Sequence, residues 1–196
     1  MSDETNRYNI DWFYQRFQRL EKEFLKILNY IPLHPDLSHP NYQRGSPALM
    51  DFCLHVCSEV ETIFRCILEW DRFNDQPDIE TKRANQNMNI YREIIGKLLN
   101  FEEKEVVITN INQLLRPFEE FNSNRNPKWF RKYSKYKHNK LKLIEKWNLL
   151  HALKALGAMY ILIVNHPDNL HPMILYNADK YKSKVFNQLY IQVFPD

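Results

Sequence analysis

Apolar side chains recur at steps of three and four residues along much of the chain, and this spacing most limits what it can fold into. In the first long segment the recurring residues are Ile10, Phe13, Phe17, Leu20, Phe24 and Leu28. One face of an α-helix collects residues at this spacing, so the segment predicts an amphipathic helix of about five turns. Only three of the 196 residues are glycine, whereas an all-β protein normally needs more glycines for its turns. We therefore expect an all-α fold.

Two further helices are predicted in the first half of the chain. Ser46 and Pro47 supply a cap and a first-turn proline for a helix that reaches about Arg72. After the breaker DRFNDQP, a third helix is predicted from Asp78 to Asn100. Its apolar side is formed by Met88, Tyr91, Ile95 and Leu98.

The second half of the chain predicts two more helices and little sheet. Asn126 and Pro127 resemble a cap and a first-turn proline for a basic helix. The segment from Trp147 to Asn165 predicts the most apolar helix of the chain, which we expect at the centre of the fold. The stretch EVVITNINQLLRPF fits either a strand or a helical turn and is interpreted as irregular structure. A short C-terminal strand or extended tail is indicated by the alternation of Val185, Leu189, Ile191 and Val193.

These segments predict one domain over residues 1–196, a bundle of about five helices with its core at about 8–165 and a tail at 166–196. The N-terminus MSDETNRYN has no signal-peptide pattern, and the longest apolar run, 155–164, is too short to cross a bilayer. We expect a soluble, cytoplasmic protein without membrane contact. Cys53, Cys57 and Cys66 lack metal-site spacing and are interpreted as reduced thiols within an apolar helix.

Positive charge is concentrated in one segment of a nearly balanced chain. Residues 125–146 hold nine lysines and arginines and one acid, a local balance of +8, while the whole chain carries +3. A basic patch of this kind attracts polyanions, most often nucleic acid. The side chains expected to bind nucleic acid are Lys128, Lys132, Lys135, Lys137, Asn139 and Lys142.

Helical geometry puts an arginine and a histidine on one face of this segment. Arg131 and His138 are two turns apart and differ in angle by about 20°. Trp129, Tyr133, Tyr136 and Leu143 fall on an adjacent face that is expected to pack against the rest of the protein.

Several cations near one histidine disfavour its protonated form, so we expect the imidazole of His138 to be neutral. Such a ring accepts a proton, and beside RNA it would take that of a 2′-hydroxyl while Arg131 stabilises charge on the phosphate, without a metal. The alternative is an ordinary solvated basic face whose histidine has no catalytic role.

The run Pro127, Trp129, Phe130, Tyr133, Lys137 and His138, followed by LLHALKALGAMYIL, resembles the HEPN superfamily, in particular a group of bacterial HEPN-like proteins. The segment SPALMDFCLHVCSEVETIF is similar to the second helix of that group, with Glu59 and Glu61 at its acidic positions. The resemblance covers about residues 46–164.

The resemblance implies a helical, dimerising bundle and a metal-independent endoribonuclease of antiphage, abortive-infection or toxin type, with no cofactor. Arg131 and His138 would be the catalytic pair, supported by Glu59, Glu61, Tyr133 and Ser134. Glu59 is also expected to reach the basic helix. The alternative function is a non-catalytic helical homodimer that binds nucleic acid or a protein partner through the same helix.

A repeated pattern raises one further hypothesis. The segments HPDLSHP and HPDNLHP share His-Pro-Asp-x-x-His-Pro, and their side chains would form a metal site if the two loops met: His34, Asp36, His39, His166, Asp168 and His171. Turn formation explains the same residues without a metal, so no metal ligand is assigned.

Overall fold

Helices make up most of the residues that the structure describes, and a small sheet packs beside them. The computed structural model describes residues 10–69, 73–136, 147–166 and 181–188. The helices are α1 Ile10–Leu28, α2 Pro47–Leu68, α3 Ile79–Ala84, α4 Met88–Tyr91, α5 Lys97–Leu99, α6 Lys128–Tyr136 and α7 Leu149–Val164. The strands are β1 Val106–Ile108, β2 Gln113–Leu115 and β3 Phe186–Gln188.

The central element is α7, as its apolar sequence predicts. All of its side chains are buried except those of Leu150, Lys154 and Val164, which are partly buried. It packs against α1, α2 and α6, so it contributes to the core on nearly every side. Buried apolar side chains from Ile10 to Phe186 form one continuous cluster around it.

The two longest helices also follow the sequence prediction. In α1, Ile10, Phe13, Phe17, Leu20 and Phe24 are buried. In α2, Ser46 Oγ accepts a hydrogen bond from Leu49 N at 3.1 Å and Pro47 is the first helical residue, which confirms the predicted cap. This helix ends at Leu68, earlier than predicted.

The continuous third helix predicted from Asp78 to Asn100 is wrong. It is broken between α3 and α4, where Asn87 Oδ1 accepts from Asn89 N at 3.0 Å and begins a new helix. A π-helical segment, Arg92–Gly96, then joins α4 to α5. An asparagine side chain competes with the backbone for hydrogen bonds, so it favours a new start over a helix interior. Leu98, predicted to be core, is 40% exposed.

The expected all-α class holds only in part, because the three strands form an antiparallel sheet of order β2-β1-β3. Val106 pairs with Leu115 of β2 and with Gln188 of β3. The sheet lies close to α7, since a Cβ placed on Gly157 would be 3.3 Å from Pro117 Cγ and 3.4 Å from Leu115 Cδ2. The irregular structure predicted for this region is therefore corrected to a hairpin.

The predicted C-terminal strand is present at β3, whereas Leu189, Ile191 and Val193 lie outside the described residues. Residues 181–188, which we call the C-terminal strap, are held to α1 by the buried carboxylate of Glu21. Its Oε1 accepts hydrogen bonds from Ser183 Oγ, from Lys184 N at 2.7 Å and from Val185 N at 3.2 Å. In the described parts of the chain, no helix combines the length and apolar character needed to cross a bilayer.

Candidate nucleic-acid interface

The basic helix α6 begins differently from the sequence prediction. Lys128 N donates to Glu120 Oε1 at 3.1 Å, and Arg131 N donates to Pro127 O at 2.9 Å. The side chain of Asn126, the expected cap, instead hydrogen-bonds to another segment: its Oδ1 accepts from Arg92 Nη1 at 3.0 Å. A carboxylate suits this place because the amino end of a helix carries partial positive charge.

Large aromatic side chains fix the inner face of α6. Trp129, Phe130 and Tyr133 are buried. Trp129 Nε1 donates to Pro117 O at 2.9 Å, and Tyr133 Oη donates to Glu61 Oε2 at 2.9 Å. The prediction that Trp129 and Tyr133 pack inward is confirmed, and the orientation of the outer face is set by these contacts.

The outer face presents cations to solvent. Lys128, Arg131 and Lys135 are all exposed, as is Ser134 between the last two. Because residues three and four apart are neighbours on a helix, these three cations form one row, which we call the basic stripe. The predicted basic face is therefore present over the described helix, Lys128–Tyr136.

Several predicted site residues fall beyond the described end of α6. Lys137, His138, Asn139, Lys142 and Leu143 lie outside the described residues, and only the backbone of Tyr136 is described. The pairing of Arg131 with His138 in one cleft consequently stays a prediction.

Lys132 is directed differently from the basic stripe. It is half-buried, and its Nζ lies 3.4 Å from Nδ1 of His151 in the first turn of α7. His151 is only 7% exposed, and its backbone N donates to the cap residue Asn148 at 3.0 Å. An ammonium group has only protons to donate, so Nδ1 is the acceptor and the ring is neutral with its proton on Nε2.

Charge and burial act together on this ring. Burial, followed in size by the charges of Lys132, Lys128 and Lys154, lowers the pKa of His151 to about 3. A neutral imidazole among cations, which is the environment that the sequence predicts for His138, is thus present at His151 as well as being an untested prediction for His138. The sequence contains little to indicate it, because this histidine stands within an apolar helix and its lysine neighbour is 19 residues away.

Acidic residues border the same region. The exposed Glu119 forms an ion pair with Lys154 of α7, and the half-buried Glu120 accepts the hydrogen bond from Lys128 N at the start of α6. Of the two predicted acidic supports, Glu61 binds Tyr133, whereas the ion pair of Glu59 is with Arg16 of α1. Glu61 therefore supports α6 directly.

The first His-Pro-Asp loop is organised as a turn. Asp36 N donates to His34 Nδ1 at 3.0 Å, and the Asp36 carboxylate accepts from Ser38 N at 2.8 Å. His39 Nδ1 accepts from Asn41 N at 3.3 Å, and the two histidine rings stack with centroids 4.0 Å apart. Three groups that would serve as metal ligands, His34 Nδ1, the Asp36 carboxylate and His39 Nδ1, therefore already accept hydrogen bonds from backbone N–H groups.

The second loop contributes only His166 to the described structure, buried just after α7, while Asp168 and His171 are outside it. Within the described ranges, no cluster of three or more histidine, cysteine or acidic side chains has the arrangement of a metal site.

The cysteines behave as buried thiols where the structure describes them. Cys53 and Cys57 are buried, Cys66 is partly buried, and all three are free. Burial raises the pKa of Cys66 to about 11, and it raises the pKa of Cys53 and of Cys57 as well. Thiols of this kind are poor nucleophiles at neutral pH because the reactive thiolate is scarce.

Comparisons with models of protein families, with curated proteins and with solved structures find no match to this chain. The resemblance to HEPN proteins accordingly stays a prediction.

Proposed function

We propose that this protein binds RNA through the basic stripe of α6. The observation that carries the proposal is the row of exposed cations Lys128, Arg131 and Lys135 on a helix whose opposite face is fixed by buried aromatic rings. A fixed helix holds its cations at constant spacing. Binding therefore costs little conformational freedom beyond that of the lysine and arginine side chains themselves. Phosphate groups of a nucleic-acid strand are the matching anions.

The proposal predicts that binding depends on salt and on the stripe. Titration of a labelled single-stranded oligouridylate, followed by fluorescence anisotropy, should give an affinity that falls with salt. Arg131→Ala and Lys135→Ala should each reduce the salt slope by about 0.7, the value for one phosphate contact in single-stranded nucleic acid. Lys22→Ala, which removes an exposed cation from α1, is the matched control and should leave the slope unchanged. Absence of binding by the wild-type protein would refute the proposal.

Metal-independent cleavage of RNA is a second candidate, favoured by the exposed position of Arg131 on the stripe. In this hypothesis the protein is a HEPN-like homodimer of antiphage, abortive-infection or toxin type, active in the cytoplasm. His138 accepts the proton of a 2′-hydroxyl, and Arg131 stabilises the charge that develops on the phosphate.

Cleavage and simple binding are separated by one pair of variants. In a chelating buffer, wild-type protein should cleave labelled RNA, and His138→Ala should lose most cleavage, by about 100-fold or more if the ring is the general base. His55→Ala, an exposed histidine of α2, is the control and should retain full activity. Binding without cleavage by the wild type would leave the non-catalytic alternative, in which α6 holds RNA or, if RNA does not bind, a protein partner.

A further inference from the structure

We propose that Lys132 and Lys154 form a phosphate seat where α6 meets α7, with His151 as the residue that positions Lys132. This inference rests on the proposed RNA binding and extends its footprint from the basic stripe across to α7. The ligand is a phosphate group of the bound strand. Neither His151 nor Lys154 belongs to the stripe.

The two lysines reach the junction from different helices. Lys132 is one turn beyond Lys128 on α6, and Lys154 is one turn beyond His151 on α7, which packs against α6. The contact of Lys132 Nζ with His151 Nδ1, at 3.4 Å, directs this side chain across the junction. Both lysine side chains are partly buried, and that of Lys154 is 17% exposed.

A phosphate fits this junction for electrostatic reasons. Among the described residues, the charged groups that act on the pKa of His151 are three lysines, and the neutral ring itself adds no negative charge. Partial burial reduces solvent screening, so an ammonium group here attracts an anion more strongly than one on an open surface. A neutral imidazole orients the ammonium of Lys132 and itself brings no negative charge to the junction.

Glu119 marks the place that the phosphate would occupy on Lys154. Its carboxylate is paired with Lys154 and is itself 49% exposed, so it stands on the solvent side of a less exposed lysine. Because the Glu119 carboxylate is already about half exposed, it can turn into solvent when a phosphate takes its place on Lys154. Glu119 therefore competes with RNA for Lys154.

The decisive experiment is a gain of function, because misfolding cannot produce one. Glu119→Gln should bind the same oligouridylate about twofold or more tightly than the wild type at low salt, since one competing charge is removed. Glu80→Gln is the matched control: it removes an exposed carboxylate of α3 that pairs with Arg83 at 3.0 Å and gives the same change in net charge. Equal affinities for the two variants would overturn the seat.

Loss variants complete the test. Lys154→Ala should weaken binding about fivefold at 0.1 M salt, which is the contribution of one contact with a salt slope of 0.7. If Arg131→Ala weakens binding and Lys154→Ala does not, the seat is wrong while the proposed function stands. If the wild type does not bind, both fail together.

The positioning role of His151 is tested by conservative rescue. His151→Leu removes the acceptor for Lys132 and should weaken binding to the level of Lys132→Ala, whereas His151→Gln keeps an acceptor and should restore most of the affinity. In the wild type, the nitrogen chemical shifts of His151 should report the neutral Nε2–H tautomer at pH 5 and change when RNA is added. An imidazolium at pH 5, or leucine and glutamine variants that bind alike, would refute the role.

Discussion

Mild acid should lower the stability of the folded protein because His151 takes up a proton in the unfolded chain but not in the folded one, and the size of the effect follows from the two pKa values. The ring takes up a proton in the unfolded chain below its ordinary pKa of 6.5, whereas in the folded protein it does so only near 3. Between these values the unfolded state binds more protons, so the free energy of unfolding falls as the pH falls. The slope is about 1.4 kcal/mol per pH unit, which gives a loss of about 2 kcal/mol between pH 7.5 and pH 5.

This loss is measurable because it depends on one replaceable side chain. Urea unfolding of the wild type and of His151→Gln at pH 7.5 and pH 5 isolates the contribution, since all other groups titrate in both proteins. The wild type should lose about 2 kcal/mol more than the variant on acidification. The figure requires only that the folded pKa lies well below 5. Equal losses in the two proteins would show that His151 is neither as buried nor as surrounded by lysines as the structure places it.

Two further predictions concern the contacts that hold α1 and α6. Glu21→Ala removes the oxygen that accepts from Ser183 and Val185, and hydrogen bonds to charged groups contribute about 1.5–3 kcal/mol each, so we expect the free energy of unfolding to drop by about 3 kcal/mol. Glu21→Gln, which keeps an acceptor, should lose less, and wild-type stability of Glu21→Ala in urea unfolding would contradict the bond. Tyr133→Phe removes the donor to Glu61 and should reduce the free energy of unfolding by about 2 kcal/mol in the same assay. A change within error would show that the aromatic ring alone anchors α6.

Sequence periodicity and apolar content predict the long elements, because α1 and α2 each bury a continuous apolar face and α7 is buried on nearly every side. The phenylalanines of α1, the cap at Ser46 and the apolar run of α7 all lie where spacing places them. Short elements carry no such information. A strand of three residues, such as β1 or β2, is too short to establish an alternation. Its stability comes from pairing within the hairpin, from pairing of β1 with the distant β3, and from packing on α7.

The broken third helix shows that apolar spacing does not determine where a helix begins and ends. Met88, Tyr91 and Ile95 keep helical spacing and are buried, but the helical conformation does not continue back through Asn87 to Asp78. Apolar spacing therefore predicts which side chains face the core better than it predicts where one helix ends. Capping by Asn87 decides the boundary, and asparagine is common enough in loops and helix starts that the sequence alone does not decide between them.

For the candidate site, spacing within one helix was informative and spacing between helices was not. The angular positions of Lys128, Arg131 and Lys135 follow from 3.6 residues per turn once aromatic rings define the inner face. The direction of Lys132 depends on His151, which belongs to another helix and becomes its neighbour only when α6 packs on α7. Glu119 likewise meets Lys154 across 35 residues of sequence.

The environment of His151 shows what the cleavage hypothesis requires of His138. Cations around an imidazole keep it neutral, but a ring that is buried as well, with Nδ1 already accepting from Lys132, has a pKa too low to remove a proton efficiently near pH 7. A general base needs the opposite balance: enough solvent contact to keep its pKa near neutrality, and a nitrogen left for the substrate. A positioning residue and a general base can therefore both be neutral imidazoles surrounded by cations. What distinguishes them is access to solvent. If α6 cleaves RNA, His138 must lie on the open side of the basic stripe, beside Arg131 and away from the junction that holds Lys132.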